Sequence, residues 1–490
     1  MGNGMSEAAA VAVDPQSRHR KRSLHYRSSR RFAPAIPEDR LETGTRPPGR
    51  ADRALGPEAG DRCGLALAGQ TLAIGALFFA AGCGAKTGVE VPDVGFSPEV
   101  PDVPCVDVPW DGQQAVVELQ TQTQLRRADV FFLIDNSNSM MGEIDEIRAQ
   151  LKDRLAPAIF GEIPDTEFGV GTFSDFPLPD YGKAPGDTPF LLRRRMTGDL
   201  EAVQAALRTV RLADGKDQPE AHIEALYQLA TGEGLERGPD DPSPERWFVE
   251  PNVGCPSGGF GMACFRPDAL PVVLMFTDAV MHGGPVTGSP YDPARLYGAR
   301  VHTWAEMLEV VTERSMRVVG LWSGDRQHSV DLVALSRATG ALDSAGNPIV
   351  FNIGSDGERL GPGVVEAVKE FADAVVFDVG TDMVDPVPED GVDIVSWVEE
   401  VRPIRATPMH GVEAIDLSAG KFIGVVAGTQ VEFEIRVRAE GVTRRAEPQR
   451  YRLVVVFRGD DRTYLGQGEV DLVVPALDGR GCGPDGTTRQ

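Results

Sequence analysis

Strand and helix patterns alternate through the middle of the chain. Residues 128–135, ADVFFLID, form a nearly continuous apolar run, as expected of a central strand buried on both faces. Ile144, Ile147, Leu151 and Leu155 then recur at helical spacing and make one apolar stripe. TEFGVGTFSDF and PFLLRRRMTG read as further strands. DLEAVQAALRTVRLA and PEAHIEALYQLATG read as helices, the second with Pro219 suited to a first turn. LPVVLMFTDA, from 270 to 279, repeats the opening pattern of an apolar run ending at an acid. VHTWAEMLEVVTERS is helical, MRVVGLWSG a strand and SVDLVALSRATG a helix. GPGVVEAVKEFADAVV closes the series as a helix entering a last strand. The alternation predicts an α/β domain over 114–385, with a mostly parallel open sheet flanked by helices.

Beyond about residue 385 the period changes. Val431, Phe433, Ile435 and Val437 are apolar, while Glu432, Glu434, Arg436 and Arg438 between them are charged. This period of two belongs to a half-exposed antiparallel strand. YRLVVVF and EVDLVVP follow with no helix signal, so a small all-β sandwich is expected over 386–478, with a tail at 479–490.

The front of the chain is different. Residues 1–62 are Arg-rich with almost no hydrophobic periodicity, and read either as a basic arm or as sequence upstream of the true start. Residues 63–83 carry an apolar run after Arg62 and end in Ala80-Ala81-Gly82-Cys83, a secretory signal whose end resembles a bacterial lipobox. Ala80 stands where a branched residue is usual, and a plain signal anchor is the alternative. A lipidated Cys83 would tether the protein to a membrane face rather than span it. Gly84 supplies no retention acid, which favours the outer membrane of the cell envelope by resemblance to known sorting. VPDVGFSPEVPDVPCVDVPWDG, within 84–113, has Pro too often for helix or sheet and suits an extended spacer.

Charge and cysteine content narrow the function classes. The net charge of −24 argues against wrapping a nucleic-acid backbone, which needs Lys and Arg to neutralise phosphate, and favours divalent cations. After Cys83 come Cys105, Cys255, Cys264 and Cys482, an even number in an exported chain. Cys255 and Cys264 bracket CPSGGFGMAC and are expected to pair locally. A Cys105–Cys482 bridge would staple the ends of the ordered region. A zinc site lacks CxxC spacing and a nearby His.

Ligands of open parallel sheets sit at the carboxyl ends of the strands. Asp135 and Asp278 each end an apolar strand, so both reach that rim, with Ser137 and Ser139 just beyond Asp135. An acid with two hydroxyls on one loop and a second acid on another is a hard-oxygen set, suited to Mg²⁺ or Mn²⁺ rather than zinc. Ser and Asp after a strand are also common helix N-caps, which need no metal. His282, just past Asp278 near the rim, could contact a ligand but reads more simply as a solvent-facing loop residue. His302 and Glu306 are explained by an amphipathic helix face, and Trp304 and Trp322 most simply by the core.

Asp135-Asn-Ser137-Asn-Ser139, with Thr277-Asp278 at a later strand end, resembles the metal-ion-dependent adhesion site of von Willebrand factor A domains. The resemblance covers 115–385. Many members use a middle-loop Thr as a further ligand, whereas DGKDQPEAH has none and is similar to the integrin β-subunit version, in which an Asp-x-Pro-Glu motif supplies a Glu. The resemblance therefore implies Glu220 as that ligand. It also implies a flanking Ca²⁺ site from Asp217 and the Pro219 carbonyl, and an auxiliary acid at Glu143, although Gly142 replaces that acid's neighbour. In this family Ser137, Ser139 and Glu220 would hold Mg²⁺ directly, Asp135 and Asp278 directly or through water. An acidic group of a protein or matrix partner would fill the open position, and the helix around Val364–Phe371 is the one that shifts in switching members.

Three functions are carried forward. The first is a lipid-anchored, metal-dependent binding protein. The second is a hydrolase, against which stands the lack of a GxSxG elbow, an HExxH pair or a phosphate loop. The third is a structural subunit of an envelope complex with no metal dependence. The long Gly/Pro-rich loop from Gly232 to Leu270 suits a binding surface grafted on the rim and favours the first.

Overall fold

The computed structural model describes residues 103–324 and 329–483. The basic stretch 1–62, the signal with Cys83 and most of the 84–113 spacer lie outside the described residues. No helix among the described residues is long and apolar enough to cross a membrane.

Two short strands open the fold, β1 (Cys105–Asp107) and β2 (Ala115–Gln122), followed by β3 (Arg127–Asp135). Helix α1 (Met141–Gln150) runs through a π-helical segment, Leu151–Leu155, into α2 (Ala156–Glu162). Pro157, in the first turn of α2, has no N–H to give the preceding turn, and the wider π turn accommodates it. Then come β4 (Asp165–Phe173), β5 (Leu191–Thr197), α3 (Leu200–Arg208), α4 (His222–Thr231) and a ribbon of β6 (Leu235–Glu236) with β7 (Trp247–Val249). The α/β part closes with β8 (Leu270–Thr277), α5 (Trp304–Glu313), β9 (Arg317–Trp322), α6 (Val330–Ala338), β10 (Val350–Asn352) and α7 (Leu360–Ala374).

Its sheet has the order β10-β9-β8-β3-β4-β5, parallel except for the antiparallel edge strand β5. In β3 eight consecutive residues are buried and alternate between two cores. Phe132 and Ile134 face the cluster with Ile144, Ile147 and Phe371, whereas Phe131 and Leu133 face the cluster with Leu226 and Trp322. Gly169 and Gly171 on β4 leave room for Phe131, since a Cβ on either would come within 2.8 Å of its ring.

α4 begins at His222 rather than at Pro219. The Glu220 N–H donates to the Val280 carbonyl (2.9 Å), which keeps 219–220 extended as a bridge to Met281. Trp322 is core, but Trp304 is only half-buried. His302 stacks on Tyr227 and pairs with Glu224 (3.0 Å), and Glu306 closes a capping box with Thr303.

The remaining strands are β11 (Val376–Val384), β12 (Val398–Thr407), β13 (Ala414–Asp416), β14 (Lys421–Val426), β15 (Gln430–Val437), β16 (Gln449–Gly459) and β17 (Thr463–Val474). They form one sheet of order β1-β17-β16-β11-β14-β13 and another of order β12-β15-β2. Val431, Phe433, Ile435 and Val437 on β15 all point inward, as their alternation predicts.

Here the domain boundaries differ from those expected. β11 pairs with β14 and β16 instead of closing the α/β sheet, and β1 and β2 join the sandwich from the other end of the chain. The α/β domain is therefore an insertion, spanning 127–375 between two parts of the sandwich. The spacer is also shorter than expected. Val106 pairs with Leu472 and the Pro104 carbonyl accepts from the Asp471 N–H (2.9 Å), an edge position where proline is tolerated.

Disulfides join Cys105 to Cys482 and Cys255 to Cys264. The second does not sit at the rim. Its loop lies beside the C-terminal end of β5, where Met196 N–H donates to Ala263 O (2.9 Å), and next to Arg266, which grips Asp129 at the start of β3. Only the ribbon end of that loop comes near the rim, with Phe248 packed edge-on against Phe176 at 4.9 Å.

Candidate metal centre

β3 and β8 are parallel neighbours with Ile134 opposite Phe276, so their carboxyl ends emerge side by side. Asp135 is held under this rim and fully buried. Its Oδ1 accepts from the Ser137 N–H (2.9 Å) and its Oδ2 from the Thr277 hydroxyl (2.8 Å). Thr277 Oγ1 also accepts from the Ala279 N–H (3.0 Å). Beneath it lies the buried His222, with Nε2 3.0 Å from Thr277 Oγ1 and Nδ1 3.1 Å from the Glu220 carbonyl.

The hydroxyls above Asp135 do not cap a helix. Ser137 precedes a short 3₁₀ turn, Asn138–Met140, yet its side chain makes no capping bond. Its Oγ lies 3.2 Å from Ser139 Oγ, and Ser139 donates to Asp278 Oδ1 (3.1 Å). Glu220 is brought to the same place by the extended loop before α4. It is 3% exposed, and its Oε2 is buried without a hydrogen-bond partner. Ser137, Ser139, Glu220 and Asp278 thus line one cavity of about 400 Å³, together with Asp214, Lys216 and Asp217.

The electrostatics are those of crowded acids, and no cation stands among the causes that shift Asp135, Glu220 or Asp278. Burial, and then Asp278, raise the Asp135 carboxyl to about 7. Glu220 is held well above the carboxylate range by burial and by Asp135, Asp175, Asp187 and Asp217. Burial also raises Asp278. The nearby ammonium groups bond outside these three carboxyls, Lys183 to Asp214 in the cavity lining (2.7 Å) and Lys216 to the Pro179 carbonyl (2.7 Å). Two hydroxyls and three carboxyls, one of them with an orphaned oxygen, suit a hard divalent cation, so the donor set fits Mg²⁺ or Mn²⁺.

A testable consequence follows for the ion-free protein. Asp135 carries a proton in the fold that it would lose near 3.8 when unfolded, so the folded state binds more protons between about 4 and 7. This group's contribution to stability is therefore present at low pH and lost as pH rises through about 7. Denaturant midpoints in EDTA should fall over that window, and Asp135→Asn should flatten the slope. An unchanged slope in the variant would contradict the assignment.

The auxiliary residues fall out differently. Glu143 on α1 is buried and outside the cavity lining. Its Oε1 accepts from the Ser323 hydroxyl, its Oε2 is without a partner, and burial raises its carboxyl. Pro219 is half-buried between Asp217 and Glu220.

His282 is not a solvent-facing loop residue but 6% exposed. Its Nε2 lies 3.0 Å from Asp175 Oδ2 and 3.1 Å from Asp217 Oδ2, and its Nδ1 2.7 Å from the Ser289 carbonyl. The loop after β8 folds back, stacking the imidazole on Tyr291 at 4.0 Å. Against the burial that opposes it, pairing with Asp175 and Asp217 raises the imidazole to about 10. Asp175 is a site residue that motif reading missed. The available signal was TFSDF, a second instance of an apolar strand running into an acid.

No family model matches the chain, and no curated protein does. Among solved structures it is similar to a von Willebrand factor type A protein from Catenulispora acidiphila, at 12% identity and a TM-score of 0.32, covering 79% of this chain and 76% of that one. Proximal thread matrix protein 1 of the mussel byssus matches at 12% identity and a TM-score of 0.28, over 52% of this chain and 48% of that one. The pilus adhesin SpaC from Lactobacillus rhamnosus GG, in an open conformation, matches at 12% identity and a TM-score of 0.27, over 74% and 45%. The chain thus spans under half the length of the last two. Likenesses this distant decide nothing about function, and the fold stands on its own sheet order.

Proposed function

We propose that this protein binds an acidic partner through a divalent ion held at the rim of its α/β domain. Ser137, Ser139 and Glu220 would be direct ligands, with Asp135 and Asp278 direct or through water. A bound Mg²⁺ or Mn²⁺ would supply a positive, exchangeable coordination position for a carboxylate of a protein or matrix partner. The protein's own part is to hold two hydroxyls and the carboxyls of Glu220 and Asp278 in one open cavity, over a buried Asp135 that Thr277 and His222 fix from below. Cys83 would carry the lipid that keeps the chain on the cell envelope, at the outer membrane.

One observation carries the reading. Ser137 turns to Ser139, and Ser139 to Asp278, with no capping bond from Ser137, in a cavity shared with Glu220 and its unpartnered Oε2. In the cap reading the Ser137 hydroxyl would be spent on a helix N–H. Against a hydrolase, His222 is fully buried behind Thr277 and cannot meet a substrate as a general base.

Thermal unfolding of the full chain tests this, in EDTA and then with Mg²⁺ or Mn²⁺. An ion that binds only the native state adds about 2.7 kcal/mol at about a hundred times its dissociation constant. With Mg²⁺ the midpoint should rise in the wild type and not in Asp135→Ala. If neither ion moves the wild-type midpoint at millimolar concentration, the metal-independent structural subunit becomes the better reading.

A further inference from the structure

We infer that Asp175, Asp217 and His282 form a second cation site beside the first, and that its imidazole selects a transition-metal ion, of the Zn²⁺ or Mn²⁺ class, over calcium. The family resemblance gives this flank an oxygen-only calcium site from Asp217 and Pro219. The chain puts a histidine and a further aspartate there instead. The inference does not rest on the Ser137–Glu220 site, with which it shares no ligand.

Geometry is the first support. His282 Nε2 stands 3.0 Å from Asp175 Oδ2 and 3.1 Å from Asp217 Oδ2, and the three donor atoms lie within 4.8 Å of one another. Adjacent donors around an octahedral ion with bonds of about 2.1 Å are separated by about 3.0 Å, so the two separations at His282 Nε2 match edges of a coordination shell.

The second support is an unpartnered acid. Asp175 is 1% exposed, and its Oδ1 is fixed by the Phe176 N–H (2.7 Å) and the Tyr291 hydroxyl (2.6 Å). That anchoring aims Oδ2 into the cluster, where it has no hydrogen-bond partner despite its closeness to His282. The reason is directional. Nε2 carries at most one proton, and its hydrogen bond is to Asp217 Oδ2. Asp217 Oδ1 is likewise buried without a partner. The Nε2 proton serves Asp217 Oδ2 alone, whereas a divalent ion in its place would meet Asp175 Oδ2, Asp217 Oδ2 and the nitrogen together.

The surroundings prepare His282 as a ligand. Nδ1 faces the Ser289 carbonyl at 2.7 Å and so keeps its hydrogen, and Nε2 becomes a metal donor on giving up the proton it shares with Asp217. Tyr291 stacks on the ring and Tyr181 meets it edge-on at 5.4 Å, fixing its plane. A nitrogen donor with two carboxylates favours Zn²⁺ or Mn²⁺, because calcium takes oxygen ligands. Two protons on the imidazole and no metal is the competing state.

The test uses the full chain, stripped with a chelator and returned to Zn²⁺ alone or Mn²⁺ alone, with bound ions counted by native mass spectrometry. With Mn²⁺ the expected count is two for the wild type and one each for His282→Gln and Asp135→Ala; with Zn²⁺, which the all-oxygen first site disfavours, it is one for the wild type and for Asp135→Ala, with His282→Gln weakening that binding at least tenfold. One Mn²⁺ in the wild type and none in His282→Gln would support this site and remove the first. Equal counts in wild type and a folded His282→Gln would overturn it. Should that variant not fold, the ¹⁵N resonances of the wild-type imidazole decide. Nε2 must shift on Zn²⁺ addition, and an imidazole that keeps both N–H signals at saturating Zn²⁺ overturns the proposal.

Discussion

Replacing Arg266 with methionine should cost the fold about 3–5 kcal/mol, the usual range when one partner of a buried ion pair is removed. Arg266 Nε donates to Asp129 Oδ1 (2.7 Å) and its main-chain N–H to Oδ2 (2.6 Å). The guanidinium continues to Asp165 Oδ1 (2.6 Å) and to the Ala128 carbonyl (2.9 Å). Asp129 is fully buried at the start of β3, and burial raises it to about 6 even with Arg266 opposing. Without the guanidinium, a buried carboxylate at the foot of the central strand must either stay charged and unpaired or take up a proton. Without the opposing guanidinium Asp129 takes up its proton at a higher pH than in the wild type, so the loss should shrink as pH falls towards about 6 and stay small below it. Urea midpoints at pH 5 and pH 8 measure this, and Asp129→Asn in the Arg266→Met background should recover much of the deficit. A loss below 1 kcal/mol at pH 8 would show that the pair is dispensable.

Removing the Cys105–Cys482 disulfide by a double Cys→Ser change should cost about 2–5 kcal/mol, near the top of that range. The bridge closes a loop with a sequence separation of 377, and the entropy it withdraws from the unfolded chain grows with loop length. It also secures an edge strand of three residues, β1, which has only β17 beside it in the sheet. Hydrogen exchange should report the loss locally as well, with faster exchange at Val106 and Val108 while the amides of β3 stay protected. If the urea midpoint and the Val108 exchange rate both match the wild type, the bridge is ornamental.

The central sheet and its rim were legible because their signals are local. ADVFFLID and LPVVLMFT each announce a strand buried on both faces, and a parallel sheet puts their terminal acids together by geometry alone. The sandwich was legible only in part. β15 shows its alternation plainly, but β2 and β11 flank the inserted domain, and nothing local says whether a strand joins the nearer sheet or one hundreds of residues away. The pairing of Gln122 with Gln430 is decided by the closed sandwich, not by the segment. The cluster around His282 was hidden for a related reason. A loop histidine reads as exposed until the fold back of the chain after β8 buries it against Asp175, whose own strand-then-acid signal was present and passed over. The disulfide loop, too, was read correctly as pinned but placed at the wrong end, since loop length says nothing of direction.

The interrupted sandwich also sets an order of events in the chain's synthesis. β2 is made early, and its partner β15 comes about three hundred residues later, roughly 15–60 s at ordinary elongation rates of about 5–20 residues per second. Throughout that interval the α/β domain can complete its own sheet, while β2 waits as an unpaired edge. Its sequence suits the wait. The half nearest the insertion, Glu118 to Gln122, is mostly polar (ELQTQ), giving a passing hydrophobic strand little to adhere to. The last strands released then find a finished domain already holding both halves of the sandwich in reach of each other.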